Sequence, residues 1–215
     1  MKAWESNIRK VEPYVPGEQP KVQDVIKLNT NENPYGPSEN VRKAMEAIDI
    51  DRCRLYPDPD VTKLVKSIAD YYGMDNNQVF VGVGSDDVLS MCFLTFFNGK
   101  KPVLFPDITY SFYSVWADLY RIPYEKQKLD DNMKIVPEDY YKENGGVIFP
   151  NPNAPTGLLM DLDSVRDIIE HNKDVVVIVD EAYIDFGGVS AKDLVNEYDN
   201  VLVVQTFSCL LYTSD

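Results

Sequence analysis

The sequence predicts an α/β fold built on a mostly parallel sheet flanked by helices. Three observations carry that reading. Short apolar runs alternate with amphipathic segments along the chain, the pattern of successive βαβ units. The run that opens Val175–Phe186, V-V-V-I-V-D-E-A-Y-I-D-F, starts with β-branched residues and no polar alternation, the mark of a strand covered on both faces. Several of these runs stop on glycine, asparagine or acid, and ligands in an open α/β sheet sit beyond the carboxyl ends of the strands.

The chain has 215 residues, room for one large domain or two small ones. Hydrophobic residues make up 44% and aromatics 12%, ample for a core. The formal net charge of −14 argues against nucleic acid and anionic membrane as partners, since both demand basic patches. Cys53, Cys92 and Cys209 have no metal-ligand spacing and read as buried reduced thiols of a cytoplasmic protein. His171, the single histidine, follows an amphipathic segment and reads as a solvated helix end, so no histidine metal site is expected. The amino terminus lacks the apolar stretch of a signal peptide, and no run reaches membrane-spanning length.

Residues 1–37 are proline-rich and poor in periodicity, an extended arm ending in the turn formers N-T-N-E-N-P-Y-G-P. Ser38 is a helix N-cap, followed by Val41, Ala44, Met45 and Ile48 on one face. L-Y-P-D-P at Leu55–Pro59 is rigid and non-helical. Asp60 opens the clearest amphipathic helix, with Val61, Leu64, Val65, Ile68, Ala69 and Tyr72 on one side and Gly73 as its stop. A strand is expected at Gln78–Gly82, then a helix after Ser85 burying Val88, Leu89, Cys92 and Phe96. Further strands are expected at Pro102–Phe105, Gly146–Phe149, the Val175 run and Val201–Val204. Helices are expected at Tyr110–Tyr120, Asp161–His171 and Ala191–Tyr198.

The chemistry collects at the strand ends. Asp180 closes the greasiest strand, and reads either as a ligand-facing acid or as a cap for the next turn. Gly82–Asp87, G-V-G-S-D-D, frees backbone amides at a helix start, which suits a phosphate; an ordinary capped helix start has the same letters. It is neither a P-loop nor the dinucleotide fingerprint, because no G-K-[S/T] follows and Asp87 stands where a third glycine would. Asn151–Gly157, N-P-N-A-P-T-G, presents Asn153, whose amide suits a phenolic oxygen that Tyr183 could share. A carboxylate at Asp180 would favour a protonated pyridine nitrogen, and Tyr110 could stack on the ring. Phosphate cup, phenolic partner, ring-nitrogen acid and stacking face together describe pyridoxal 5′-phosphate.

The ordered set N-T-N-E-N-P-Y-G-P, L-Y-P-D-P, G-V-G-S-D-D, Tyr110, N-P-N-A-P-T-G, D-E-A-Y-I-D-F and T-F-S resembles the fold-type I pyridoxal-phosphate enzymes. Within that group it resembles the histidinol-phosphate aminotransferases. The resemblance implies that Ser85, Asp86 and Ser208 contact the cofactor phosphate, Tyr110 stacks on the ring, Asn153 and Tyr183 bond the phenolic oxygen, and Asp180 faces the ring nitrogen. It implies that Tyr56 reaches the site of a neighbouring subunit in a homodimer, and that Asn31, Asn33 and Tyr35 border the substrate pocket. The implied reaction is transamination between L-histidinol phosphate with 2-oxoglutarate and imidazole-acetol phosphate with L-glutamate, in histidine biosynthesis. The alternatives are a threonine-phosphate decarboxylase-like enzyme, which shares most of these motifs, and a non-catalytic fragment.

The resemblance is close through Ser208 and stops at Cys209, where the family carries the lysine that links its cofactor. A thiol supplies neither that link nor the lysine's proton transfers. The expected organisation is therefore an arm with part of a small domain at 1–37, an incomplete cofactor-binding large domain at 38–208, and a non-native tail at 209–215. The resemblance implies that the carboxyl-terminal small domain is missing.

Overall fold

The computed structural model describes residues 3–9, 11, 26, 31, 33 and 35–208. The expectations for 209–215, Cys209 included, lie outside the described residues. In chain order the elements are α1 (Glu39–Glu46), α2 (Thr62–Tyr72), α3 (Ser85–Phe96), β1 (Val103–Pro106), α4 (Phe112–Tyr120), β2 (Tyr124–Gln127), β3 (Gly146–Pro150), α5 (Leu162–Glu170), β4 (Val177–Asp180) and β5 (Val201–Val204). The chain divides into two compact units, one of Met1–Pro16 with Leu89–Thr206, the other of Gly17–Val88 with Phe207–Asp215. Among the described residues no helix is long and apolar enough to cross a membrane.

The first unit holds the sheet. Five strands lie in the order β2-β1-β3-β4-β5, and every ladder is parallel. Each connection must therefore cross back over a face of the sheet. α4 makes the crossing from β1 to β2, α5 from β3 to β4, and a 3-10 turn at Ala191–Asn196 from β4 to β5. β1, β3 and β4 are buried throughout, as apolar runs with helices on both sides must be.

Side chains on a strand alternate between faces, and two layers result. One layer packs Leu104, Val147, Phe149, Val177 and Val179 against Val165, Ile168 and Ile169 of α5, with Tyr140, Ala191 and Leu194. Burying each such aliphatic side chain contributes about 1.5–3 kcal/mol. The other face receives Phe105, whose ring meets Tyr113 at 5.8 Å, and Tyr113 in turn packs beside Phe93 and Trp116. By the same alternation Ile178 and Asp180 share this second face.

Two expectations about strands are corrected. No strand forms at Gln78–Gly82: Asn76–Gln78 is a 3-10 turn, and Val79, though extended, has no ladder partner among the described residues. Phe80 is exposed there, so no apolar layer covers the segment. The fifth strand is instead β2, Y-E-K-Q, paired only with β1; it lacks an apolar run because its middle residues, Glu125 and Lys126, are exposed.

The amino-terminal edge of the sheet is held by buried amides. Asn172 Nδ2 donates to Tyr140 O and Ile168 O, Asn144 Nδ2 donates to Asn172 Oδ1 at 2.6 Å, and Gly146 N donates to Asn144 Oδ1. Gly146 opens β3 at φ +146°, and a Cβ there would lie 2.2 Å from Cε1 of the buried Phe97 ring. Tyr140 is buried in the same region, yet its hydroxyl has no hydrogen-bond partner among the described residues. A buried hydroxyl without a partner costs about 1–3 kcal/mol. Tyr140→Phe is therefore expected to stabilise the chain by about 1 kcal/mol in urea denaturation, against the usual loss from a core substitution.

In the second unit, Ser38 caps α1, accepting from Val41 N at 3.4 Å. The face of Val41, Ala44, Met45 and Ile48 is not buried among the described residues. α2 starts at Thr62, two residues later than the periodicity predicts. Asp58 causes the shift: its carboxylate accepts from Asp60 N at 3.1 Å and Thr62 N at 2.9 Å, turning the chain before the helix begins. Val61 is left at φ +48°, an unfavourable region for a β-branched residue. Gly73, at φ +69°, ends α2 as expected. Cys92 is buried, but Cys53 is exposed, because it sits in the charged 3-10 turn Ile50–Arg54.

Candidate active site at the carboxyl edge of the sheet

From β1 the chain steps outward to β2, then returns to place β3 on the other side of β1. The connections leave β1 and β3 in opposite directions, and the crevice at that switch point is where open α/β sheets take ligands. The segments that follow β1 and β3 meet there. Asn153 Nδ2 donates to Ile108 O at 3.1 Å and to Thr156 Oγ1 at 3.2 Å, and its Oδ1 accepts from Thr109 Oγ1 at 3.1 Å. The loop that carries Asn153 is bracketed by Asn151, whose Nδ2 donates to Met160 O and whose Oδ1 accepts from Met160 N at 2.8 Å. Asn151 N also bonds Asp180 O, so the loop starts level with the end of β4.

Asp180 ends β4, opposite Pro150 of β3. It is a buried carboxylate, 4% exposed. Its Oδ2 accepts from the Tyr113 hydroxyl at 2.6 Å and its Oδ1 from Ala182 N at 3.2 Å. Tyr113 lies in the first turn of α4, three residues after Tyr110, and the two rings pack edge to face at 5.7 Å. Tyr183 begins the 3-10 turn Ile184–Phe186, with its ring 6.3 Å from that of Phe186. The first unit thus brings Tyr110, Asn153 and Asp180 to one edge, with Tyr183 three residues beyond.

The next residue, Glu181, turns to the opposite face and is fully buried. Ser190 Oγ donates to it at 2.6 Å, Ala191 N at 2.6 Å and Gln205 Nε2 at 2.8 Å, binding the end of β4 to the segments on either side of β5. Burial pushes the Glu181 carboxyl above its ordinary 4.5, and the three hydrogen bonds pull the other way. With a raised folded value, the native state keeps this proton to higher pH than the unfolded chain does. Its contribution is then greatest below about pH 4.5 and is lost as pH rises through the folded value. Denaturation midpoints measured across that window should show this fall, and Glu181→Gln should remove it.

The remaining predicted residues lie in the second unit. Ser85 opens α3, with Asp86 and Asp87 in its first turn, and Asp87 Oδ2 accepts from Val83 N at 3.0 Å. Gly84 takes φ +83° just before the helix. Ser208 is exposed in a turn, and Tyr56 is fully exposed. Asn31 sits at φ +52°, and Asn33 Oδ1 accepts from Tyr35 N at 3.0 Å. Sequence reasoning missed Thr109, Tyr113 and Glu181. Tyr113 had a signal, since it lies one helical turn beyond Tyr110; the partners of Thr109 and Glu181 depend on contacts distant in sequence. His171 caps the carboxyl end of α5 as predicted, but its half-exposed ring stacks on Tyr141 at 3.7 Å.

The five parallel strands with a switch point between β1 and β3 define an open α/β fold, and the chain belongs to the aminotransferase class I and II family, whose model matches residues 23–209. Its sequence is 55% identical over 207 residues to the histidinol-phosphate aminotransferase of Clostridium beijerinckii, covering 96% of this chain and 58% of that protein. It is 57% identical over 205 residues to histidinol-phosphate aminotransferase 1 of Hydrogenovibrio crunogenus, covering 95% and 58%. The chain thus spans less than two thirds of the length of these curated relatives. In fold it resembles the solved histidinol-phosphate aminotransferase of Clostridium acetobutylicum, with TM-score 0.77 and 23% identity over 85% of this chain and 55% of that one. The Sinorhizobium meliloti histidinol-phosphate aminotransferase, solved in complex with pyridoxal-5′-phosphate, gives TM-score 0.76 at 20% identity over 83% and 51%.

Proposed function

We propose that residues 38–208 form most of the cofactor domain of a pyridoxal 5′-phosphate-dependent aminotransferase. The enzyme would move an amino group between L-histidinol phosphate and 2-oxoglutarate, giving imidazole-acetol phosphate and L-glutamate, in the cytoplasm. The observation that carries this reading is the buried Asp180 carboxylate at the switch-point edge, with the Asn153 amide on the adjoining loop and Tyr110 on the α4 side. A negative charge, an amide and an aromatic ring at one edge fit the ring of pyridoxal phosphate. The names of the curated relatives support the choice of substrate.

When bound, the cofactor supplies an electron sink next to the carbon that carries the migrating amino group. The chain's own residues would hold it ready. Asp180 would keep the ring nitrogen protonated, because a carboxylate within bonding reach favours the charged form of its partner. Asn153 would turn one N–H from Thr156 Oγ1, the longer of its two bonds, to the phenolic oxygen, with Tyr183 as a second donor. Tyr110 would cover the ring face. Backbone amides at Ser85 and Asp86, at the start of α3, would take the phosphate, with Ser208 as a further contact. Tyr56 would serve the neighbouring subunit of a homodimer, and Asn31, Asn33 and Tyr35 would border the substrate.

The test is a titration of the chain and of Cys209→Lys with pyridoxal phosphate. Saturable binding by both, with covalent capture after borohydride treatment at position 209 only in the lysine variant, is expected. An amino-transfer assay of the variant then compares histidinol phosphate with threonine phosphate, and transfer from the former is expected. Absence of saturable binding by either protein would sink the reading.

A further inference from the structure

We propose that Tyr113 is a positioning residue for this site: its hydroxyl fixes the Asp180 carboxylate in the plane and charge state from which it meets a ligand's ring nitrogen. The inference rests on the function proposed above and concerns a residue to which that reading gives no role. Tyr113 is completely buried, and no part of its ring is available to a ligand. The ring is caged by Phe93 at 6.2 Å, Phe105 at 5.8 Å, Tyr110 at 5.7 Å and Trp116 at 6.3 Å, which leaves the hydroxyl one direction. It donates to Asp180 Oδ2 at 2.6 Å, across 67 residues of sequence.

A carboxylate turns about its terminal torsion with little resistance. Here both oxygens are engaged, Oδ2 by Tyr113 and Oδ1 by the backbone of Ala182. A hydrogen bond to an ionised oxygen is short and strong, and it favours the charged form over the protonated one. The segment that would place Tyr110 on the ring face leads within three residues to the side chain that sets the acid for the ring nitrogen. One short stretch, Tyr110 with the first turn of α4, orients two of the contacts a pyridine ring would need.

Tyr113→Phe removes one oxygen and leaves the ring cage intact. The experiment measures equilibrium binding of pyridoxal phosphate and of its 1-deaza analogue, in which a C–H replaces the ring nitrogen. The parent, Tyr113→Phe and Asp180→Asn are compared as full chains, each checked for folding by its thermal midpoint. The parent should prefer pyridoxal phosphate, and Asp180→Asn should abolish the preference. Tyr113→Phe should bind the deaza analogue within about twofold of the parent while losing about tenfold in preference, the size expected for one hydrogen bond to a charge. Equal weakening of both ligands would mark Tyr113 as merely structural and overturn the proposal. So would an unchanged preference in Tyr113→Phe beside a lost one in Asp180→Asn, which would leave the ring-nitrogen role of Asp180 standing. A parent with no preference, matched by Asp180→Asn, would overturn that role and the proposal with it.

Discussion

Asp180→Asn is expected to weaken pyridoxal phosphate binding by about a hundredfold while leaving the fold nearly untouched. The loss follows from replacing a buried charge with a neutral amide opposite a cationic nitrogen. Truncating one partner of a desolvated charged pair costs about 2–5 kcal/mol, and about 2.7 kcal/mol is a hundredfold in affinity. Stability should change little, because the asparagine oxygen can still accept from Tyr113. The new NH₂ group would face Ala182 N, a second donor, and that mismatch costs about 1 kcal/mol. Fluorescence titration gives the affinity and urea denaturation the stability. An Asp180→Asn chain that binds as tightly as the parent would remove Asp180 from the site.

Gly146→Ala is expected to cost about 4 kcal/mol of stability, the largest loss foreseen for a single methyl group. Two causes combine. The backbone at φ +146° is unfavourable for any residue with a Cβ, and that Cβ would meet the Phe97 ring at 2.2 and 2.4 Å. Phe97 cannot withdraw freely, because it is buried and packed edge to face on Phe93 at 5.2 Å. Shortening the ring in Phe97→Leu should restore only part of the loss, since it relieves the collision and not the backbone. Gly99→Ala is the control: a Cβ there would have nothing within 4 Å, and its effect should stay within about 0.5 kcal/mol. A urea midpoint for Gly146→Ala equal to that of Gly99→Ala would contradict the close approach at β3.

Much of the fold is legible in the letters because parallel strands buried on both faces leave bare apolar runs. Four of the five strands, β1, β3, β4 and β5, coincide with such runs. β2 does not, because its middle residues Glu125 and Lys126 are exposed and need no apolar side chain. The segment after Gln78 misled for the complementary reason: apolar letters state a tendency to extend and say nothing of a partner. Asp180 could be picked out, since an acid ending so greasy a run requires some purpose there. Tyr113 could not be assigned its bond, which joins residues 67 apart and depends on how α4 lies over the sheet.

The order of the acids in D-E-A-Y has a consequence for how the chain can vary. Asp180 belongs to one side of the sheet and Glu181 to the other, and only the count from Val177 sorts them. Deleting one residue inside β4 would shift Glu181 into the place of Asp180: a longer carboxylate would arrive beside Tyr113, and the Ser190–Gln205 junction would lose its anchor. Within this family member, the reading frame of a four-residue strand is itself part of the chemistry.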